Sequence, residues 1–282
     1  MADRNASGVS SAAYDNSSSV AGRIAQNSAF ERCARAGFIV SGILHLIIGY
    51  IAIRIALGGA GGTADSSGAM AELAGKPGGI IALWVGVVGF VLMALWRCAE
   101  AALGSSSRPD ADSKKSEAVN RVKAFSLAVV YFAFAFSAFG FARGSGGSSG
   151  GQSAGLTARL MQSTAGTIAL IAVGLIIIGI GGYHAYKGAS RNFLDDLEGS
   201  TSDLVRRLGM TGYIAKGIAI AAVGLLVILA ASQSAPSKAS GLDGALKTLG
   251  AQPYGVALLV VAGLGIITYG LYSFAMARYA KM

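Results

Sequence analysis

Residues 166–186 read GTIALIAVGLIIIGIGGYHAY and contain no charged side chain. A helix of about 17–25 mainly apolar residues is long enough to cross a hydrocarbon core about 30 Å thick. The apolar residues follow one another without the alternation of polar and apolar positions that a membrane β-barrel strand shows. This stretch therefore predicts a membrane-spanning helix, which satisfies its own backbone hydrogen bonds in lipid.

Five further blocks of the chain have the same character. They are residues 38–53, 77–96, 124–142, 217–233 and 254–277. Two of these blocks reach the required length only if Arg54 and Lys216 lie near the membrane edges and extend their long side chains to the two surfaces. Charged residues make up 13% of the chain and the mean hydropathy is +0.58, values that exclude an ordinary soluble domain. The sequence thus predicts an all-α, polytopic membrane protein with six transmembrane helices.

The six predicted helices repeat as pairs. In the first helices, residues 37–42 (GFIVSG) match residues 212–217 (GYIAKG), 175 positions later. Along the second helices, aligned positions stand 88 residues apart, as in Ala94, Gly182 and Gly270, followed two positions later by Trp96, His184 and Tyr272. Glycines and leucines that recur in the loops predict a short external amphipathic segment between the two helices of each unit. The chain is therefore predicted to contain three copies of a two-helix unit.

The predicted organisation begins with a disordered cytoplasmic tail over residues 1–29, which lacks the apolar run of a signal peptide. The repeats follow at 30–107 (helices near 36–57 and 79–103), 116–194 (helices near 122–142 and 166–187) and 203–282 (helices near 209–231 and 254–277). Because each unit crosses the membrane twice, the three units are parallel. They either close into a pseudo-threefold bundle or stand as an open row of hairpins, and the sequence fits both arrangements.

The basic residues are distributed unevenly between the two sides of the membrane. If the N-terminus is inside, seventeen of the 23 Lys and Arg residues are cytoplasmic and six are external. The positive-inside rule then predicts a multi-pass protein of the bacterial cytoplasmic (inner) membrane, with both termini in the cytoplasm. The same basic clusters suit contact with anionic membrane lipid, whereas no basic and aromatic patch favours nucleic acid.

The three-unit layout, the glycine–aromatic start of the first helix and the glycine-x-aromatic end of the second resemble a bacterial membrane family, mainly actinobacterial, catalogued as a domain of unknown function. The resemblance covers nearly all of the chain after residue 30. It implies tandem two-helix units and carries over no catalytic residue. The second unit departs from the pattern with Lys123 and Ala128 in place of glycines, and the third has Ile220 where the others have His45 and Tyr131.

Five side chains are the candidates for contact with a ligand or lipid: His45, Tyr131, Trp96, His184 and Tyr272. A titratable group such as His45, near the middle of a transmembrane helix, is a functional candidate by default. No Asp, Glu or Lys is expected at its depth, so His45 either contacts a ligand or hydrogen-bonds another helix. The aromatic residues near the cytoplasmic ends of the second helices form either an interfacial belt or a ring around a lipid head or ligand.

Glycines recur along the second helices, where they favour tight static packing over a sliding or hinged interface. No catalytic, cofactor or metal site is predicted. Cys33 and Cys98 fall on the reducing side of the membrane and belong to no metal motif. A group of four carboxylates before the fifth helix suits a helix start and a charged surface better than a cation site. Its members are Asp195, Asp196, Glu198 and Asp203.

The predicted function is that of a non-enzymatic membrane accessory or scaffold, working with a membrane protein partner or as a homo-oligomer. Its basis is the scarcity of polar groups within the helices and the absence of a large extramembrane domain in the sequence. The alternative is a transporter or channel for a small or lipid-like molecule, suggested by the parallel repeats and glycine-rich helices. A lipid-directed enzyme is the weakest interpretation, because only His184 and the acidic group would begin an active site.

Overall fold

The computed structural model describes residues 28–59, 62–103, 114–199 and 202–281, and nearly all of them are helical. The α-helices in these residues are α1 (Ser28–Ala56), α2 (Ser66–Ala74), α3 (Gly79–Leu103), α4 (Lys114–Ala142), α5 (Ser149–Leu160), α6 (Thr164–Ala189), α7 (Asp203–Ser232), α8 (Gly241–Gly250) and α9 (Gly255–Tyr279). Two three-ten helices, Asn192–Asp196 and Pro236–Lys238, lie in the connections before α7 and α8. The predicted tail lies outside the described residues except for positions 28 and 29.

Six of the described helices, α1, α3, α4, α6, α7 and α9, are long and apolar enough to cross a membrane. This confirms the predicted all-α, polytopic architecture. Several helices begin earlier than the apolar runs that predicted them, because polar residues continue the same helix beyond the apolar segment. For example, α7 begins at Asp203 rather than near 209, and its first turn is capped by Ser202, whose hydroxyl accepts a bond from Val205 N at 3.4 Å.

A short helix, α2, α5 or α8, lies between the two long helices of each repeat, as predicted. A glycine lies within the first three residues of the second long helix in each case: Gly79, Gly166 and Gly255. A Cβ atom placed on these glycines would lie 1.6, 2.0 and 1.9 Å from a carbonyl oxygen of the preceding segment. Only glycine fits such a close approach of two backbone segments.

The chain divides into two compact units. Unit 1 comprises Met1–Gly37 and Trp84–Ala138, and unit 2 comprises Phe38–Leu83 and Phe139–Met282. In unit 1, the described residues contain most of α3 and α4. Phe90 of α3 stacks on Tyr131 and Phe134 of α4, with ring centroids 6.5 and 5.5 Å apart.

Unit 2 contains two seams at which glycines of neighbouring helices meet. In the seam between α6 and α7, Cβ atoms added to Gly174 and Gly224 would lie 2.9 and 2.7 Å from each other's carbonyl oxygens. Gly181 and Gly217 meet in the same way, at 2.6 and 2.5 Å. The two backbones therefore touch directly, which is the close packing that small residues allow between membrane helices.

The second seam, between α1 and α9, repeats this geometry. Gly42 faces Gly270, and Gly49 faces Gly263, with added Cβ atoms 2.6–3.0 Å from the opposite carbonyl oxygens. Here the first helix of repeat 1 packs on the second helix of repeat 3. An open row of hairpins has no such contact, so unit 2 joins the first and last repeats directly.

The seams correct the predicted alignment of the second helices. Gly263 and Gly270 occupy the places of Gly174 and Gly181, which stand 89 residues earlier rather than 88. Gly182, which the sequence alignment paired with Gly270, has no atom within 4 Å of an added Cβ. The alignment was therefore one residue out between repeats 2 and 3.

The correction also changes the aromatic set. Gly79, Gly166 and Gly255, which make the same close approach to the preceding segment, stand 87 and 89 residues apart, so Trp96 and Tyr272 correspond to Tyr183. His184 corresponds instead to Ser273. The predicted equivalence of Trp96 and Tyr272 is therefore kept, and His184 was aligned one residue out; each of the three remains a candidate contact in its own right.

At one end of unit 2, side-chain hydrogen bonds join the three short helices. Ser149 donates from Oγ to Asp65 Oδ2 at 2.9 Å, which links α5 to the start of α2. The backbone of Ala64 donates to Asp243 Oδ1 of α8 at 2.8 Å. Both carboxylates are buried. We call this group of α2, α5 and α8 the short-helix cap; it places all three loops at one end, as parallel repeats require.

Candidate functional site

Helix α9 lies between α1 and α7 in unit 2, and its residue Tyr269 contacts both neighbours. On the α7 side, a Cβ added to Gly212 would lie 2.7 Å from Tyr269 Cα, so this glycine lets the two backbones approach. Lys216 follows four residues later and so lies on the same face of α7. Its Nζ donates to Tyr269 Oη at 2.8 Å and lies 4.1 Å from the centroid of that ring.

On the α1 side, His45 packs against Tyr269. It follows Gly42 of the α1–α9 seam by three residues, and its ring centroid lies 4.8 Å from that of Tyr269. The ring atom Nδ1 lies 2.7 Å from the carbonyl oxygen of Ser41. Because a carbonyl oxygen only accepts, Nδ1 carries a proton, and Nε2 is directed away from the α1 backbone.

His184 has the same relation to the α6–α7 seam. It lies between Gly181 and Gly188, and its ring centroid is 6.0 Å from that of Tyr213 on α7. Its Nδ1 lies 2.9 Å from the carbonyl oxygen of Ile180, the same bond to its own helix that His45 makes. Tyr213 in turn meets Tyr269 edge to face, with centroids 5.6 Å apart.

These rings and one lysine form a continuous group that we call the polar aromatic cluster. Its members are His45, His184, Tyr213, Lys216, Tyr269 and Tyr272. A row of ring contacts connects the two histidines through two tyrosines, although the histidines belong to repeats 1 and 2 and the tyrosines to repeat 3. The side chains it offers are hydroxyls, imidazoles and one ammonium group, a set suited to hydrogen bonding with an oxygen-bearing ligand.

Tyr272 forms the innermost part of the cluster. Its side chain is fully buried, with relative exposure of 0%, and its ring contacts Tyr213 and Phe193 at 5.6 and 5.4 Å. Gly209 makes room for these rings, because an added Cβ would lie 2.3 Å from Phe193. Among the described residues, no hydrogen-bond partner reaches Tyr272 Oη.

The connection from α6 to α7 covers this end of the cluster and is tied to the end of α9. Phe193 of this connection is fully buried, and Leu197 pairs with Ala280 through an isolated β-bridge. Glu198 N donates to Tyr279 O at 2.6 Å, and Lys281 N donates to Asp196 O at 2.9 Å. We call these contacts the C-terminal clasp.

The four carboxylates before and at the start of α7 do not come together as a cation site. They are Asp195, Asp196, Glu198 and Asp203. Asp196 pairs with Lys187 of α6, while Asp203 pairs with Arg206 at 2.7 Å in the first turn of α7. No group of three or more potential metal ligands is present in the part of the chain that the structure describes. The interpretation of Asp203 as a helix-start charge is confirmed.

The five predicted contact residues are divided between the two units. His45, His184 and Tyr272 belong to the polar aromatic cluster of unit 2. Tyr131 lies in unit 1, half-buried against Phe90, and Trp96 is half-buried on α3 of the same unit. That any of the five contacts a ligand or lipid stays a prediction.

Lys216 makes a contact that the sequence did not predict. It is the fourteenth of the 30 residues of α7, and its ammonium is bound to Tyr269 of the neighbouring helix α9. Its expected place near a membrane edge stays a prediction. The expectation that no lysine shares the level of His45 was wrong, since both contact Tyr269. The available signal was Gly212, four residues earlier on the same helix face, which marks the side of α7 that packs on α9.

Arg54 lies in the last turn of α1, and its expected place near a membrane edge stays a prediction. Its guanidinium pairs with Glu72 of α2 at 2.9 Å, next to a surface cavity of about 300 Å³ that Lys76 also lines. The charges of Arg54 and Glu72 compensate each other, and Lys76 is a further cation in the lining of this cavity.

Six apolar helices in three tandem pairs define the chain as a polytopic membrane protein. The sequence profile of the Domain of Unknown Function DUF1206 matches residues 36–104, 122–191 and 211–280, and the chain belongs to this family. Each matched segment contains one two-helix repeat, which confirms the predicted resemblance and layout. The expected actinobacterial bias of the family stays a prediction.

A relative of similar length is found in Bacillus subtilis (strain 168). The chain is 29% identical to its uncharacterized protein YxxB over 264 residues, which cover 89% of this chain and 92% of the relative. No solved structure matches the chain.

Proposed function

We propose that the protein is a non-enzymatic component of the bacterial cytoplasmic membrane, a scaffold or accessory protein that holds a membrane protein partner or a second copy of itself. The observation that carries this proposal is the way unit 2 ties its repeats together. Residues of repeats 1, 2 and 3 are joined by the short-helix cap and by the two glycine seams, and the C-terminal clasp ties the connection before repeat 3 to the end of that repeat.

The seams favour a static body over a moving one. Each seam has two reciprocal glycine pairs, and each pair brings a backbone carbonyl within 3.0 Å of the place where any other residue has its Cβ. Sliding one helix along the other would bring larger side chains, such as Ile178 or Ile228, against these carbonyls. A transporter that alternates between two packings needs an interface that accepts both.

The proposed orientation rests on the distribution of basic residues: leaving aside Lys216, which lies within α7, sixteen belong to the predicted cytoplasmic side and six to the other side. Two exposed serines make a matched test in a background with Cys33 and Cys98 replaced by serine. Ser145 lies between α4 and α5, and Ser190 follows α6. In intact spheroplasts, a membrane-impermeant maleimide should label Ser145→Cys, while Ser190→Cys should react only after permeabilisation; the reverse pattern would contradict the orientation.

The scaffold role is tested by the state of the protein in its native membrane. Crosslinking in intact cells, followed by purification in mild detergent, should recover either one partner at a fixed ratio or a defined homo-oligomer. The same species should persist through size-exclusion chromatography of the uncrosslinked material. Recovery of a lone monomer by both routes would contradict the proposal.

A second function, transport of a small or lipid-like molecule, is favoured by the polar aromatic cluster. Its lysine, histidines and tyrosines are carried by helices long enough to span the membrane, where polar groups are costly and usually functional. Reconstituted protein should then release entrapped small anions from proteoliposomes faster than empty vesicles do. Equal rates for the anions tried, with the protein shown to be inserted, would leave the scaffold role as the supported one.

A further inference from the structure

Lys216 brings a positive charge to the middle of a membrane-spanning helix without a carboxylate to balance it. Lys216 is half-buried, and its ammonium is bound to Tyr269 Oη and forms no ion pair with any carboxylate among the described residues. A lysine at the centre of a transmembrane helix costs about 2.5–3.5 kcal/mol on insertion scales, so such residues are paired with other groups or line polar cavities. A tyrosine hydroxyl is a hydrogen-bond partner but does not neutralise the charge.

The donors around Lys216 are only partly used. An ammonium has three N–H groups, and the bond to Tyr269 uses one of them. Because Tyr269 Oη accepts that bond, its own O–H remains available to donate. Lys216 and Tyr269 therefore direct several donors from one point, the arrangement that an oxygen anion accepts through charge-assisted hydrogen bonds.

Two further groups show that the cluster is incomplete as a purely internal network. Tyr272 Oη is fully buried and lacks a hydrogen-bond partner among the described residues, although buried hydroxyls are nearly always bonded. His45 bonds the backbone through Nδ1 and directs Nε2 away from α1 while its ring packs on Tyr269. His45 therefore adds a polar atom beside the Lys216–Tyr269 pair, whereas the Tyr272 hydroxyl is enclosed by its neighbours and is not part of the proposed site.

We infer that the polar aromatic cluster binds an anionic group with oxygen acceptors, a carboxylate or a phosphate, at Lys216 and Tyr269 with His45 alongside. The charge of the ligand neutralises the ammonium, and the Tyr269 hydroxyl donates to one of its oxygens. Lys187 and Lys247 of unit 2 pair with Asp196 and Asp243, whereas Lys216, the one lysine of the cluster, is bonded to a neutral hydroxyl among the described residues. The inference requires that α7 spans the membrane and does not require the scaffold role.

Two kinds of molecule carry such an anionic group, a soluble anion and an acidic lipid through its headgroup. The experiment distinguishes between them. Full-length protein in nanodiscs of phosphatidylcholine is titrated with inorganic phosphate and with acetate. Thermal stability reports binding, since a ligand that binds only the folded state stabilises it by RT ln(1 + [L]/Kd). In parallel, nanodiscs of phosphatidylglycerol without added anion are compared with phosphatidylcholine ones, and native mass spectrometry counts the lipids retained.

The variants are Lys216→Met, which keeps an unbranched chain without charge, and Lys238→Met, which removes a lysine from the loop before α8. Tyr269→Phe removes only a hydroxyl and serves if Lys216→Met fails to fold. Loss of one charge-assisted hydrogen bond weakens affinity about tenfold or more. We expect this weaker affinity in Lys216→Met and Tyr269→Phe but not in Lys238→Met. The affinity concerned is that for whichever ligand binds the wild-type protein, the soluble anions or the acidic lipid.

Stabilisation by phosphate or acetate in phosphatidylcholine would identify a soluble anion, and stabilisation confined to phosphatidylglycerol would identify a lipid headgroup. The inference is overturned if neither source stabilises the wild-type protein, or if stabilisation is the same in Lys216→Met, Tyr269→Phe and Lys238→Met.

Discussion

The glycine seams make a sharp prediction about two adjacent residues of α6. Gly181 faces Gly217 across the α6–α7 seam, whereas Gly182 has open space around it. Replacing Gly181 with alanine puts a Cβ 2.6 Å from both Gly217 O and Ala221 N, which are backbone atoms that no side-chain rotation can move away. The same substitution at Gly182 meets no atom within 4 Å.

The magnitude follows from comparing the two variants. An ordinary contact begins near 3.4 Å, so α6 and α7 must separate by about 0.8 Å at this point, and overpacking of this kind costs about 1–3 kcal/mol. Both variants gain the same helix propensity from glycine to alanine, about 1 kcal/mol. The difference between them therefore isolates the clash. In a protein of this size each kcal/mol corresponds to about 2–4 °C in Tm, so Gly181→Ala should melt about 2–12 °C below Gly182→Ala.

The assay is thermal unfolding of both variants and the wild-type protein in one detergent, followed by the loss of the monodisperse peak in size-exclusion chromatography. Gly182→Ala should melt at or slightly above the wild-type temperature. Equal melting temperatures for the two variants would show that α6 and α7 are not in backbone contact at Gly181, and would refute the corrected alignment of the repeats as well.

Two further substitutions test the cap and the cluster by the same melting assay. Asp65→Ala removes the acceptor of four hydrogen bonds, three from Ser67 and Gly68 and one from Ser149, and should lower stability by about 2 kcal/mol or more; a loss below about 0.5 kcal/mol would mean that the cap does not hold the loops together. Tyr272→Phe removes a hydroxyl that has no partner among the described residues and should leave Tm unchanged or raise it. A clear fall in Tm for Tyr272→Phe would reveal a bound group on that hydroxyl.

Much of the fold could be predicted from the sequence because a membrane helix is decided by local composition. Each helix satisfies its backbone within one continuous segment, so an apolar run of sufficient length predicts a spanning helix whatever its neighbours are. The short helices were also predictable, since the same loop residues recur in each repeat. The predicted starts of α4 and α7 were too late in the chain. Polar residues extend these helices beyond the apolar run, and hydropathy does not reveal such an extension.

The candidate site was predictable only in part. His45 stood out because a histidine is rare at that depth, and His184 and Tyr272 because of their place near the helix ends. Lys216 did not stand out, since a lysine beside an apolar run resembles a residue at the membrane edge. Tyr269 did not stand out either, because nothing in the sequence distinguishes it from the other tyrosines nearby. Their pairing depends on two helices that are in contact at Gly212.

The sequence by itself determined the class, the six helices and the three tandem pairs, because these follow from the length and order of apolar segments. Only the tertiary structure decided that Gly181 rather than Gly182 contacts α7, and that Lys216 lies over Tyr269. Successive residues of a helix point about 100° apart, so a shift of one residue turns a contact face toward open space. Which face of a helix is in contact depends on the neighbouring helix that packs there. The contact residues of α1 and α9, which pack on each other, lie more than 200 residues apart in the chain.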